Sequence, residues 1–239
     1  MKRITITLLL LLAGIASAGL VRPANVALHL SGRIPPPSGG GGIELVSYGS
    51  YTNSGGSYGG YSTSAIDTSG ANLLVYVWAA TSSPQNFTSS YFSDSKSNTW
   101  TFLPIEIDGG SYFVGIAYSY GSPTVGTNHT MDFSGGFSSY SSAVLFAFSG
   151  AATNPFDTNT QNSNSGQPGS ITPAEANEVF VTGVRCYNCT LTIDGDFTTV
   201  LAENGAGIAY YISDNSNAVN PTWESSAIIG SAMAAFKAE

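Results

Sequence analysis

The chain of 239 residues carries 7 Lys+Arg against 15 Asp+Glu, a net charge of −8, and only 9% of it is charged. That excludes a broad phosphate-neutralising surface, so no nucleic-acid partner is expected, and it excludes a coiled coil, which needs charged helix formers in bulk. With 13 Tyr, 12 Phe and 3 Trp, the composition also excludes an acidic disordered tail and fits one β-rich domain.

Residues 1–18 read as a signal peptide. Lys2 and Arg3 make a charged start, residues 8–15 an apolar run, and Ala16-Ser17-Ala18 a small-residue cleavage site. The run is too short to cross a bilayer as a helix, and no later stretch is longer, so no membrane span is expected in the mature chain. The expected location is secreted, extracellular or periplasmic. Residues 19–42 read as a Pro/Gly-rich spacer ending in Pro35-Pro36-Pro37-Ser38 and four glycines, which cannot build a packed core. A β-sandwich domain is expected over 43–239.

From Ile43 onward, short apolar runs alternate with Gly, Ser, Asn and Thr clusters. Strands are expected at 44–48, 72–81, 99–104, 112–120, 130–133, 142–149, 178–187, 191–193, 197–201, 207–213 and 227–237, with no capped helical period between them. Two runs are apolar on both faces. Leu73, Val75 and Val77 alternate with Leu74, Tyr76 and Trp78, and Val144, Phe146 and Phe148 alternate with Ala143, Leu145 and Ala147. An antiparallel strand with one wet face would alternate apolar and polar. These two strands therefore belong in the middle of a sheet, with both faces covered.

A weak internal repeat accompanies the strands. Ile66-Asp-Thr-Ser-Gly-Ala-Asn-Leu-Leu-Val75 aligns with Ile171-Thr-Pro-Ala-Glu-Ala-Asn-Glu-Val-Phe180, and Gly115-Ile-Ala-Tyr118 with Gly207-Ile-Ala-Tyr210. Between them, Asp94 leads to Trp100-Thr101 and Asp194 to Phe197-Thr198. Matches in one order favour duplication and a two-sheet antiparallel sandwich of related halves. The segments Asn72-Leu-Leu-Val75, Ser93-Asp-Ser-Lys-Ser-Asn-Thr-Trp-Thr101, Ala147-Phe-Ser-Gly-Ala151 and Asn177-Glu-Val-Phe-Val181 resemble secreted bacterial β-sandwich domains of concanavalin- or laminin-G-like jelly-roll character. The resemblance implies an architecture and carries no catalytic signature.

A lectin-like sandwich can hydrolyse glycans with paired carboxylates. Ile105-Glu106-Ile107-Asp108 begins like the Glu-x-Asp-x-x-Glu signature of laminarinase-like glycoside hydrolases, and strand alternation would set Glu106 and Asp108 on one face. The acid/base position then falls on Ser111, or on Tyr112 in a bulged variant, so the proton donor is missing. No Gly-x-Ser-x-Gly elbow serves a serine nucleophile, and His129 reads as a satisfied surface histidine. An enzyme is not expected. No cofactor is expected either. Calcium is weighed at Asp194-Gly195-Asp196 and at Asp94 with Asn98, but Asp-Gly favours a turn and Lys96 opposes a cation. Cys186 and Cys189, in an exported chain, should form a disulfide across a tight hairpin. Asn86-Phe-Thr88, Asn128-His-Thr130 and Asn188-Cys-Thr190 are glycosylation triplets.

The remaining positive feature is aromatic. Tyr48, Tyr51, Tyr58 and Tyr61 punctuate a Gly/Ser/Asn-rich stretch, and flat rings beside hydroxyls and amides suit sugars. The leading expectation is a non-catalytic module binding glycan or another extracellular surface through these tyrosines. The alternatives are a structural component of a cell-surface or particle assembly, and a glycoside hydrolase with carboxylates from separate strands.

Overall fold

The computed structural model describes residues 42–53, 60–81, 89–104, 106–108, 112–135, 140–187, 189–225 and 227–239. The signal peptide and all of the spacer except Gly42 lie outside the described residues, as do Tyr58 and Asn86. The first half of the chain forms β1 (Glu44–Asn53), β2 (Tyr61–Ser62), β3 (Leu73–Thr81), β4 (Phe92–Asp94), β5 (Thr101–Phe102), β6 (Glu106–Asp108), β7 (Tyr112–Tyr120), β8 (Met131–Phe133) and β9 (Ser141–Ser149). The second half forms β10 (Ala151–Ser163), β11 (Val179–Cys186), β12 (Thr192–Ile193), β13 (Thr198–Glu203), β14 (Ala206–Ile212), β15 (Trp223–Glu224) and β16 (Ile228–Ala238). Every paired strand is antiparallel. The fold is all-β.

Each half of the chain builds its own main sheet. The first runs β1-β9-β3-β7-β5, with β6 also on β7, and the second runs β10-β16-β11-β14-β13. If the five strands of each path are counted along their own half, both sheets read 1-5-2-4-3. Isolated bridges fall at matching places too, Ile66 with His129 and Ile171 with Val219.

The sheets lie face to face over one core, which makes a two-sheet antiparallel β-sandwich. Leu73, Val75, Val77, Val144, Phe146 and Phe148 of the first sheet meet Val179, Val181, Ile208, Ala234 and Phe236 of the second. Tyr118 stacks on Phe156 across the gap, centroids 5.3 Å apart. Each such Val, Leu, Ile or Phe side chain contributes roughly 1.5–3 kcal/mol when fully buried.

The second faces of the two-sided apolar strands are covered as well. Leu74, Tyr76, Trp78, Ala143, Leu145 and Ala147 pack under Phe92, Met131 and Phe133, which belong to the small sheet β2-β8-β4. On the second sheet, Trp223 of β15 packs on Val184, Cys186 and Ala209, and its indole N–H donates to Thr182 Oγ1 at 3.2 Å.

Strand β10 is absent from the expected elements. Its sequence AATNPFDTNTQNS is polar, and Pro155 cannot donate to a ladder. It is nonetheless a 13-residue edge strand, and its register against β16 shifts between Ala151 and Phe156, around that proline. An edge needs only one paired side, so weak propensity suffices there.

Candidate functional site

Of the four tyrosines singled out in the sequence, three are described, and they pack against the body of the fold. Tyr48 is half-buried against the inter-sheet core, its ring 6.4 Å from that of Phe146. Tyr51 stacks on Tyr61 at 4.1 Å, nearly parallel, and Tyr61 stacks on Phe133 at 5.1 Å. Tyr61 is only 7% exposed, and its hydroxyl lies 3.1 Å from that of Tyr76. Burial pushes the Tyr61 and Tyr76 phenols well above their ordinary values. The Tyr51 and Tyr61 rings pack on the outer face of the first sheet.

The structure draws attention instead to one position that the two halves fill differently. In the first half it lies where β4 ends, the bridge to Ile66 forms and β5 begins. There Asp94 Oδ1 accepts from the backbone N–H groups of Lys96 and Asn98, at 3.0 and 2.9 Å. Oδ2 accepts from Asn98 Nδ2 at 2.7 Å and from the Trp100 indole at 3.1 Å. His129 Nε2 stands 3.2 Å from Asp94 Oδ2, and its Nδ1 lies 3.0 Å from Thr68 Oγ1. Burial alone would raise the Asp94 carboxyl, but hydrogen bonds from His129 and Asn98 outweigh it and hold the group down at about 2.

Thr68, His129 and Asp94 thus align like a hydroxyl–imidazole–carboxylate chain. Thr68 and His129 are fully buried and Asp94 is 6% exposed. The Thr68 hydroxyl is also within 3.2 Å of the Gly126 carbonyl and accepts from the Gly126 N–H at 3.0 Å. A nucleophile must reach substrate, and this one is sealed. The arrangement pins the 126–129 segment to the end of β4. It also corrects the expectation of a surface histidine: four hydrogen bonds from Lys96, Asn98 and Trp100 satisfy the carboxylate that the buried ring faces.

In the second half the same place is open. Asp194 follows β12, Val219 takes the bridging position, and Phe197 precedes β13. These residues line a cleft of about 320 Å³ together with Asp196, Tyr211, Asn215 and Asn217. Val219 offers no imidazole, and Asp194 Oδ1 turns to the backbone N–H of Thr222 at 2.6 Å. The Phe197 and Tyr211 rings sit 5.5 Å apart, with Tyr211 stacked further on Phe180. Asn215 is held by backbone and side-chain bonds to Ser213 and Asp214. The result is an aromatic floor with an amide and carboxylate rim and no cation among its lining residues.

Asp194-Gly195-Asp196, weighed for calcium, therefore borders this cleft. Gly195 adopts φ +70°, the left-handed turn conformation that Asp-Gly favours. Among the described residues, no group of three or more His, Cys, Asp or Glu is arranged to hold a metal ion. The turn joins β12 to β13, which belong to different sheets, so it is not a hairpin.

Glu106 and Asp108 lie on β6, opposite Val114 and Tyr112 of β7. The chain reverses between these strands, so the carboxylate motif does not continue along one strand. Cys186 and Cys189 sit at disulfide distance, Cα atoms 6.1 Å apart. They do not clip a hairpin, because β11 pairs with β14 and β16 while β12 pairs with β15. The bridge closes the turn by which the chain leaves one sheet for another.

The fold and the cleft define a double-layered β-sandwich with an open polar-aromatic cleft on its second half. No family model, curated protein or solved structure matches the chain. Among the described residues, no helix is long and apolar enough to cross a membrane.

Proposed function

We propose that the protein is a secreted, non-catalytic β-sandwich module that binds neutral glycan in the cleft around Phe197 and Tyr211. The observation that carries this reading is the contrast between the halves: a hydrogen-bonded plug at Asp94 and His129, and an open cleft at Asp194 and Val219. Sugar rings present apolar faces to aromatic side chains and hydroxyls to carboxylates and amides. The cleft offers both, and its lack of a cation suits an uncharged ligand. The sequence repeat and the common strand order support reading the halves as related by duplication, with one copy kept for stability and the other opened for recognition. Secretion rests on the N-terminal pattern of charged, apolar and small-residue segments.

The test is retention on insoluble neutral polysaccharides beside a reducing-sugar assay, with wild type, Asp196→Ala, Asn217→Ala and Glu106→Gln. Asp196 and Asn217 are exposed, so their truncation leaves the core intact. Each should weaken binding by roughly two- to tenfold, the value of a net hydrogen bond, while Glu106→Gln binds like wild type. Absence of retention on every glycan sinks the proposal, as does sugar release that disappears in Glu106→Gln.

A further inference from the structure

At the other end of β11 from Phe180 stands a buried cation with no counter-charge among the described residues. Arg185 is 3% exposed. One Nη donates to the Asn204 carbonyl at 2.5 Å and the other crosses the sandwich to Thr81 Oγ1 at 2.9 Å. Its Nε–H is buried with no partner. The guanidinium carbon lies 6.0 Å from the Tyr112 ring centroid, an aromatic contact that offsets part of the desolvation but takes no hydrogen bond. Burial lowers the group to about 10, so it stays charged at neutral pH.

The surroundings are built to leave room for this head group. Asn204 and Gly205 both take left-handed φ, +53° and +72°, making the tight turn between β13 and β14. A Cβ on Gly205 would collide with the Cys186 carbonyl and come within 3.0 Å of an Arg185 Nη. Beside the guanidinium, a cavity of about 510 Å³ is lined by Arg185, Tyr140, Tyr187, Cys189, Asn204 and Gly205. Tyr140 and Tyr187 are 44% and 64% exposed. A buried charge is ordinarily paired, because the desolvation penalty otherwise stands alone. Among the described residues, no carboxylate supplies that partner.

We propose that this cavity binds a small organic carboxylate, whose two oxygens take the Arg185 Nε–H and an adjacent Nη–H while its carbon skeleton lies against Tyr140 and Tyr187. The planar, two-oxygen anion is the shape that a guanidinium edge recognises by paired hydrogen bonds. The cavity has room for more than the carboxylate itself. This site shares no lining residue with the Phe197 cleft, so the two readings stand or fall separately.

The test is calorimetric titration of wild type, Arg185→Lys and Tyr187→Ala with D-glucuronate, D-glucose, acetate and inorganic phosphate. Wild type should bind glucuronate saturably and acetate more weakly. Arg185→Lys, which keeps the charge but loses the planar fork, should weaken glucuronate by roughly ten- to a hundredfold. Tyr187 is exposed, so Tyr187→Ala should unfold like wild type and bind glucuronate several-fold more weakly. Glucose should give no heat that depends on Arg185. No saturable glucuronate binding in wild type up to the millimolar range overturns the proposal. Unchanged affinity in both variants, or phosphate binding as tightly as glucuronate, also overturns it.

Discussion

At the scale of single residues, two buried carboxyls behave in opposite ways because their partners differ. Asp94 collects four hydrogen bonds and an imidazole, and ionises readily. Glu178 is also fully buried, but Oε1 accepts the Glu175 N–H at 3.1 Å, while Oε2 is buried with no hydrogen bond among the described residues. Burial, with nearby Asp157 and Glu175, pushes this carboxyl up from 4.5 to about 7. A folded-state value above the unfolded one means the native state holds the proton more tightly. Its contribution is therefore complete below about pH 4.5 and is lost as pH rises through about 7. Glu178→Gln, which mimics the protonated form, should match wild type at pH 5 and be more stable at pH 8 by about 1–3 kcal/mol. Urea midpoints at the two pH values check this, and a variant whose advantage does not change with pH contradicts it.

At the scale of elements, a glycine in each half seats a tryptophan. Gly115 of β7 lies opposite Trp78 of β3, and a Cβ there would run into the indole. Gly207 of β14 does the same for Trp223, which arrives from β15. The sequence match Gly-Ile-Ala-Tyr thus marks a packing position, although the tryptophan reaches it from a different strand in each half. Glycine normally weakens a strand, and here close approach of the ring gives the reason to keep it. Gly115→Ala and Gly207→Ala should each destabilise by about 1–3 kcal/mol through overpacking. Thermal unfolding reads the loss, and Gly121→Ala shows by contrast what positive φ alone costs, since its Cβ would meet nothing within 4 Å. Equal effects at Gly115 and Gly121 would refute the packing account.

At the scale of the whole molecule, each half makes a sheet and covers its outer face, but the layer between the sheets takes both halves. Val75, Val77, Phe146 and Phe148 are buried only because Val179, Val181, Ala234 and Phe236 lie over them, and Arg185 ties the sheet ends together through Thr81. Separating the sheets would expose that layer on both sides. The described domain should therefore unfold in one transition, with calorimetric and van't Hoff enthalpies equal. Fragments 42–150 and 151–239, made separately, should each lack a cooperative transition. A fragment that unfolds cooperatively by itself would show that its sheet needs no partner.

Local chemistry in the sequence determined the all-β class and most central strands, because Val, Ile and aromatic runs such as 73–78 and 143–148 announce two-sided burial whatever their neighbours are. It also set Asp94, Asp194, Phe197 and the two Gly-Ile-Ala-Tyr segments in one order along the two halves, because short residue patterns are legible without a fold. Tertiary structure alone decided the rest. The polar strand β10 exists because β16 offers it a ladder, a pairing between residues 80 positions apart at Phe156 and Phe236 that no local propensity encodes. His129 is buried because Asp94 and Thr68 come to it from distant segments. Tyr48 and Tyr61 look like ligand platforms in a Gly/Ser-rich stretch, yet Phe146 and Phe133 occupy their surroundings. The cleft residues Phe197, Tyr211 and Asn215–Val219 become one surface only when β13, β14 and the segment before β15 fold together. Burial is a property of what lies opposite a side chain, and the chain specifies that only once it is folded.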